Sequence, residues 1–243
     1  MVTSGTFGYI IGKKKRMMYV DNDADLLWQI LVREIYVLMK HYGSKEEMQK
    51  AFEDIKTTKN KPKVSDIKNL KVFTDLTIVN ESENDWYCLL RHCQSSFINI
   101  LEAGYIINQK DEQGLIFLLD FNKGSVSYYG KNYDNSITNF ETATIEEIME
   151  FDDMPTKTYT EIVSEIKDRF EKYDKKINMV DEEIKKINDI IKKAKEMGGD
   201  QNIIQKAKIL LDDMEWQHKK LELDYRYFYH RMDALNLIIH DEK

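Results

Sequence analysis

The spacing of apolar residues along this chain changes character from one stretch to the next, and each change predicts an element. Phe7, Tyr9, Ile10 and Ile11, a basic turn at Gly12-Lys13-Lys14-Lys15, then Met17 to Val20 read as a β-hairpin. Leu26 to Tyr42 is apolar nearly all round, so the spacing predicts a helix covered on most sides and closed by Gly43. The acidic step Asp21-Asn22-Asp23-Ala24-Asp25 is placed to cap it, because Asp and Asn accept from the free amides of a first helical turn. Ser44 with Glu47 spells a capping box for a short helix carrying Met48, Phe52 and Ile55. A lysine-rich linker, Lys56 to Lys63, and a short strand within Leu70 to Val79 are expected next. A third helix opens at Asn84 or Asp85, runs through Trp86, Leu89, Leu90, Cys93, Phe97, Ile98 and Leu101, and stops at Gly104. Leu115 to Phe121 and Val126 to Tyr129, around Asn122-Lys123-Gly124, predict a second hairpin. Thr144 with Glu147 opens a short helix to Phe151, and Asp152-Asp153-Met154-Pro155 breaks the chain.

Beyond that break the period is that of a coiled coil. Phe170, Tyr173, Ile177, Val180, Ile184, Ile187, Ile191 and Ala194 alternate steps of three and four, the seam of a left-handed supercoil. Gly198-Gly199-Asp200 reverses the chain. Ile203, Ala207, Leu210, Met214, His218, Leu221, Tyr225, Phe228, Met232, Leu235 and Ile239 continue the seam, with consecutive fours through Met214 that read as a stutter. Two helices of this length project on the order of 55–60 Å at about 1.5 Å per residue. The expected class is therefore α+β: an antiparallel sheet packed with helices over residues 1–152, then a long antiparallel coiled-coil helical hairpin over 156–241.

Composition narrows the setting. An apolar share of 42% with 11% aromatic residues is enough to bury a core. Leu26 to Met39, the most hydrophobic stretch, is interrupted by Gln29, Arg33 and Glu34, so no membrane span is expected. The start Met-Val-Thr-Ser-Gly-Thr lacks a secretory pattern, which places the chain in the cytoplasm or another reducing compartment. Cys88 and Cys93 fit that: five apart on the expected helix, they point to different sides, and with His92 they make too few ligands for zinc. No metal or other cofactor is expected. Counted from Asp21 as a calcium loop, the sixth and twelfth positions are Leu26 and Val32 rather than Gly and Glu, so Asp21, Asp23 and Asp25 read as a cap. The net charge of −7 disfavours wholesale nucleic-acid binding.

Gly5-Thr6-Phe7-Gly8-Tyr9 with its hairpin, the Asp-rich step into an apolar helix, Asp85-Trp86-Tyr87-Cys88, and Phe117-Leu118-Leu119-Asp120-Phe121 resemble a group of uncharacterised proteins of large DNA viruses and phages. The likeness covers residues 5–151. It implies a fold similar to the N-terminal-nucleophile hydrolases and a viral setting. This chain has Phe7 where the group has Arg, and Asp21 or Asn22 where it has His. The resemblance nominates Thr6 as a catalytic nucleophile, in a chemistry where the residue's own freed α-amine is the base. That requires cleavage after Gly5. The reading of Thr6, Gly5 and Gly8 without catalysis is the start of an edge strand with close backbone approach.

Two further leads concern partners. Lys13, Lys14, Lys15 and Arg16 offer a nucleic-acid contact, without the aromatic interleaving or Gly-rich cradle of a dedicated module. Tyr225, Tyr227, Phe228, Tyr229 and Arg231 gather aromatic and guanidinium groups on more than one helix face, the composition of interface anchors. The expectation is an interaction or scaffold protein rather than an enzyme, docking a protein partner or a second copy through its helical arm.

Overall fold

A computed structural model describes residues 3–21, 24–74, 85–109, 112, 114–132, 136–198, 201–224 and 235, with side chains of 203 and 219–224 excepted. The chain divides into two compact units, one built on the described residues up to Ser164 with Leu235, and one on the helices from Glu165 to Asp224.

In the first unit the strands are β1 (Gly5–Ile11), β2 (Lys14–Val20), β3 (Lys56–Thr57), β4 (Tyr105–Ile106), β5 (Gly114–Asp120), β6 (Ser125–Lys131) and β7 (Ile137–Thr144). Its helices are α1 (Leu27–Tyr42), α2 (Lys45–Glu53), α3 (Val64–Leu70), α4 (Trp86–Leu89), α5 (Phe97–Ala103) and α6 (Ile145–Ile148). Both expected hairpins form, as β1–β2 and β5–β6, and they join through β1 and β5 into a five-stranded sheet of order β2-β1-β5-β6-β7. The β1–β5 pair is parallel, with Phe7 opposite Phe117, so the sheet is mixed and the expected all-antiparallel arrangement is corrected. Hairpin signals are local, whereas the pairing of two hairpins by their first strands is not written in either one.

β1 is consequently an inner strand rather than an edge. Its glycines are needed there: a Cβ on Gly8 would stand 2.0 Å from the Arg16 carbonyl oxygen, and one on Gly5 2.1 Å from that of Leu115. Alternation then gives the sheet two faces. Phe7, Tyr9 and Phe117 meet the helices in an aromatic cluster: Phe7 and Phe97 ring centres are 5.3 Å apart, Tyr9 and Phe52 4.9 Å, and Phe97 and Phe117 6.1 Å. Met17, Ile116 and Tyr129 form a second cluster with Leu118, residues of the alternate set. β7, a polar strand without alternation, closes the sheet edge after a bulge at Tyr128/Tyr129.

The core helix α1 buries Leu27, Ile30, Leu31, Ile35 and Leu38 completely and ends on Gly43 in the left-handed region. Among the described residues of the acidic step, neither Asp21 nor Asp25 caps it. A short 3-10 turn, Ala24–Leu26, leads in, and Thr3 serves its amides: Thr3 O accepts from Ala24 N at 3.2 Å and Thr3 Oγ1 from Asp25 N at 3.3 Å. Asp21 pairs instead with Arg91, Asp25 accepts from the Thr3 hydroxyl, and Asp23 lies outside the described residues. Ser44 caps α2 by accepting from Glu47 N at 3.2 Å, and the Thr144–Glu147 box is complete in both directions.

Three further expectations change. Lys56–Thr57 is not linker but pairs in parallel with β4. Leu70 ends α3 and a 3-10 turn, Lys71–Phe73, follows, while 75–79 lie outside the described residues. The third helix is broken into α4, a 3-10 turn Arg91–Cys93, and α5, with Ser95 at a φ of 61° between them. The cause of the break is Glu34. Its carboxylate, 1% exposed, accepts from Ser96 Oγ at 2.7 Å, Phe97 N at 2.6 Å and Ile98 N at 3.3 Å, so α5 starts where those donors can reach it.

The second unit carries α7 (Tyr159–Glu196), whose first residues to Ser164 belong to the first unit, and α8 (Gln201–Asp224). On α7, Phe170, Ile177, Ile187 and Ile191 are buried and Tyr173, Val180, Ile184 and Ala194 half-buried, the predicted stripe. Ile187, Ile191 and Met214 form a cluster with Val180, Ile184, Ala207 and Leu211. The expected position at Leu210 is corrected, since that side chain is 51% exposed and Leu211 packs in its place, while Ile204 is buried. Ile204, Ala207, Leu211, Met214 and His218 step by three and four without a stutter. Adjacent apolar pairs, Ile203/Ile204 and Leu210/Leu211, allow either register to be read from sequence. No described helix is long and apolar enough to cross a membrane.

Removing the Glu34 carboxylate leaves Ser96 Oγ and two buried amides without that acceptor. Glu34→Ala is expected to cost about 3 kcal/mol and Glu34→Gln less, read by urea unfolding. An Ala variant within about 0.5 kcal/mol of the parent would contradict this role.

Candidate functional site

Within the first unit, the described residues singled out by sequence do not converge on one place. Thr6 is fully buried in β1 between Tyr19 and Ile116, and its Oγ1 has no hydrogen-bond partner among the described residues. Its nitrogen is the amide of the Gly5–Thr6 peptide, not the free amine that activates an N-terminal nucleophile.

The basic hairpin is divided. The turn itself is only Gly12 and Lys13, and Lys14 to Arg16 belong to β2. Lys13 and Lys14 are exposed. Lys15 is held by Glu112, which also lies 3.9 Å from Lys131 Nζ and accepts from Tyr129 Oη at 3.3 Å. Burial first, and the Lys131 charge second, push the Lys15 ammonium below its ordinary pKa. Arg16 turns inward and donates through Nη1 to Tyr9 Oη at 3.0 Å and to the Ile55 carbonyl. The strand period separates Lys15 from Arg16, since alternate residues of β2 take opposite faces, and Lys14, on the Arg16 face, is exposed at the turn end of the strand.

Cys88 and Cys93 are buried thiols, with His92 next to Cys93 in the chain, and no group of three or more His, Cys, Asp or Glu able to hold a metal occurs among the described residues. His218 takes its seam position on α8 with Nε2 3.1 Å from Asp181 Oδ1. Tyr225, Tyr227, Phe228, Tyr229 and Arg231 lie outside the described residues.

Two groupings in the first unit were not visible in the sequence. In one, the Tyr159 ring stacks on His41 with centres 4.2 Å apart, and Tyr159 Oη donates to Glu102 Oε1 at 2.7 Å. The partners come from α7, α1 and α5, distant in sequence, and burial raises the Tyr159 phenol well above its ordinary pKa. The other is a pocket of about 380 Å³ between α1 and the segment after α6. It is lined by Trp28, Gln29, Val32 and Arg33 from the helix and by Glu150, Phe151, Asp152 and Met154. The helical spacing of the four α1 residues puts them on one side, which is the signal a helical wheel would have offered.

Comparison with models of protein families, with curated proteins and with solved structures finds no match.

Alkaline titration follows from the buried phenols. Tyr128, whose Oη donates to the Ala24 carbonyl at 3.1 Å, is pushed up to about 12 by burial, then by the Asp25 charge. Tyr159 is raised for the reason given. An unfolded tyrosine ionises near pH 10. Between about pH 10 and 12 the unfolded chain therefore releases protons that the native chain retains, and stability falls as pH rises through that window. Urea midpoints at pH 9, 10 and 11 are expected to fall less steeply in Tyr128→Phe/Tyr159→Phe than in the parent. Equal slopes would rule these phenols out as the cause.

Proposed function

We propose that this chain is a non-catalytic interaction protein, and that α7 and α8 form an antiparallel coiled-coil hairpin presented to a protein partner or a second copy. The observation that carries the reading is where the exposed apolar side chains lie. Of eleven large ones among the described residues, five belong to the helical pair, Met179, Ile190, Ile209, Leu210 and Trp216, and a sixth, Met197, stands in the turn just past α7, all more than half exposed. Single exposed apolar residues are ordinary, but these are not scattered. Met179 and Ile190 on α7 are eleven residues apart, a spacing that returns to one line along a helix at 3.6 residues per turn. Ile209 and Trp216, seven apart, do the same on α8.

The heptad spacing of the cluster around Ile187, Ile191 and Met214, and the Asp181–His218 contact, support the hairpin geometry. A strip with two seam positions per heptad leaves most of each helix surface outside, which is what an arm offered to a partner requires. In this reading the likeness of residues 5–151 to the N-terminal-nucleophile fold supplies a platform, not a catalyst.

Full-length protein used as bait, with light scattering on the same samples, tests it. Capture or self-association is expected for the parent and a loss of at least tenfold for Ile184→Asp/Ile187→Asp, with near-ultraviolet signals of the first unit unchanged. Binding undiminished in that variant would refute the arm as the working surface.

A further inference from the structure

The pocket between α1 and the segment after α6 has one cation in its lining, the half-buried Arg33. A guanidinium has five N–H donors in a planar fork. At Arg33, Nη1 donates to the Gln29 carbonyl at 3.2 Å, while the buried Nε meets no acceptor among the described residues. The nearest carboxylate influence is that of Asp153, which acts on Arg33 without forming an ion pair among the described residues. Burial accordingly pulls the guanidinium below its ordinary pKa, the opposite of what a satisfied ion pair does.

The remaining walls specify what complements such a group. Trp28, Phe151 and Met154 provide apolar surface, and the indole of Trp28 is backed by Phe117 of β5 with ring centres 6.0 Å apart. Glu150 and Asp152 add two carboxylates to the same lining. The segment that carries them is set by Asp153, in the left-handed region at a φ of 55°, and by buried Pro155. A phosphate dianion fits poorly, because the pocket's two carboxylates outnumber its one cation. A wholly apolar ligand leaves Arg33 as it is.

We propose that this pocket binds a small zwitterion, a carboxylate and an ammonium on an apolar body, the chemistry of an α-amino acid with an aromatic or branched side chain. The carboxylate pairs with Arg33, for which a planar fork is the matching donor. The ammonium faces Glu150 and Asp152, and the side chain lies against Trp28, Phe151 and Met154. A volume of about 380 Å³ sits at the small end of the roughly 300–1,000 Å³ typical of ligand pockets, in keeping with a ligand of this size.

Calorimetric titration of the full chain with L-phenylalanine, L-leucine, L-phenylalaninamide and N-acetyl-L-phenylalanine tests each arm. L-phenylalanine or L-leucine is expected to bind at about 0.1–1 mM, and the amide and the acetylated form at least tenfold more weakly. Arg33→Met abolishes binding, and Arg33→Lys, which keeps charge but not the fork, weakens it severalfold, so the test survives if the Met variant fails to fold. Glu150→Gln/Asp152→Asn removes the discrimination against the acetylated form. No heat from any of the four ligands at about 10 mM, equal affinity for the free and acetylated amino acid, or unchanged binding in the Arg33 variants would overturn the proposal. Each of those outcomes leaves the helical arm untouched.

Discussion

A buried carboxylate organises the first unit. Glu34 projects from the core helix α1, and its oxygens take a hydroxyl and two amides at the start of α5. A charge withdrawn from water costs several kcal/mol unless its hydrogen-bond capacity is met, so few arrangements of α1 and α5 are compatible with it. The one that is compatible places Phe97 against Phe7, Phe52 and Phe117. Packing of the aromatic core thus depends on a polar contact between residues 62 apart in sequence. The adjacent residue on α1, Arg33, has the converse situation: it lines a pocket, and its buried Nε meets no acceptor among the described residues. In the sequence both looked like interruptions of an apolar run. Their roles differ because a step of one residue turns a helical side chain through about 100°.

What the sequence made legible was local. Hairpins with glycine turns, the Ser44 and Thr144 caps and the glycine stops at Gly43 and Gly104 rest on interactions within a few residues, and they form as read. The break between α4 and α5 escaped because its cause sits on another helix. The parallel β1–β5 pairing escaped because neither strand encodes its neighbour. β7 escaped because Ile137 to Thr144 has no period-two alternation, being mostly exposed and held by β6 alone. On α8 the reading took Leu210 where Leu211 packs, because the two are adjacent apolar residues, while Ala207 and Met214 stand as read. None of the candidate chemistry of the basic hairpin could be apportioned without knowing which lysine faces Glu112 and that Arg16 turns toward Tyr9.

The two units are stabilised differently. In the first, a mixed sheet with one aromatic face and a second buried cluster gives each residue neighbours from several elements. In the second, a narrow stripe on each of two long helices carries the packing, because a long helix in water is held mainly by its apolar face. Apolar side chains outside that stripe contribute nothing to it. Met179, Ile190 and Met197 are costs to an isolated chain, and the proposed arm gives them a use.

The return of α8 along α7 is the claim on which the functional reading stands, and a distance between two exposed sites measures it directly. Spin labels at Lys185→Cys and Glu215→Cys, in a chain whose native Cys88 and Cys93 are replaced, sit across the seam from each other if the helices fold back. The account predicts a label separation of about 20–25 Å, from an interaxial distance of about 8–10 Å plus the label tethers. A separation of about 45 Å, the rise of thirty residues in one continued helical direction, would contradict it.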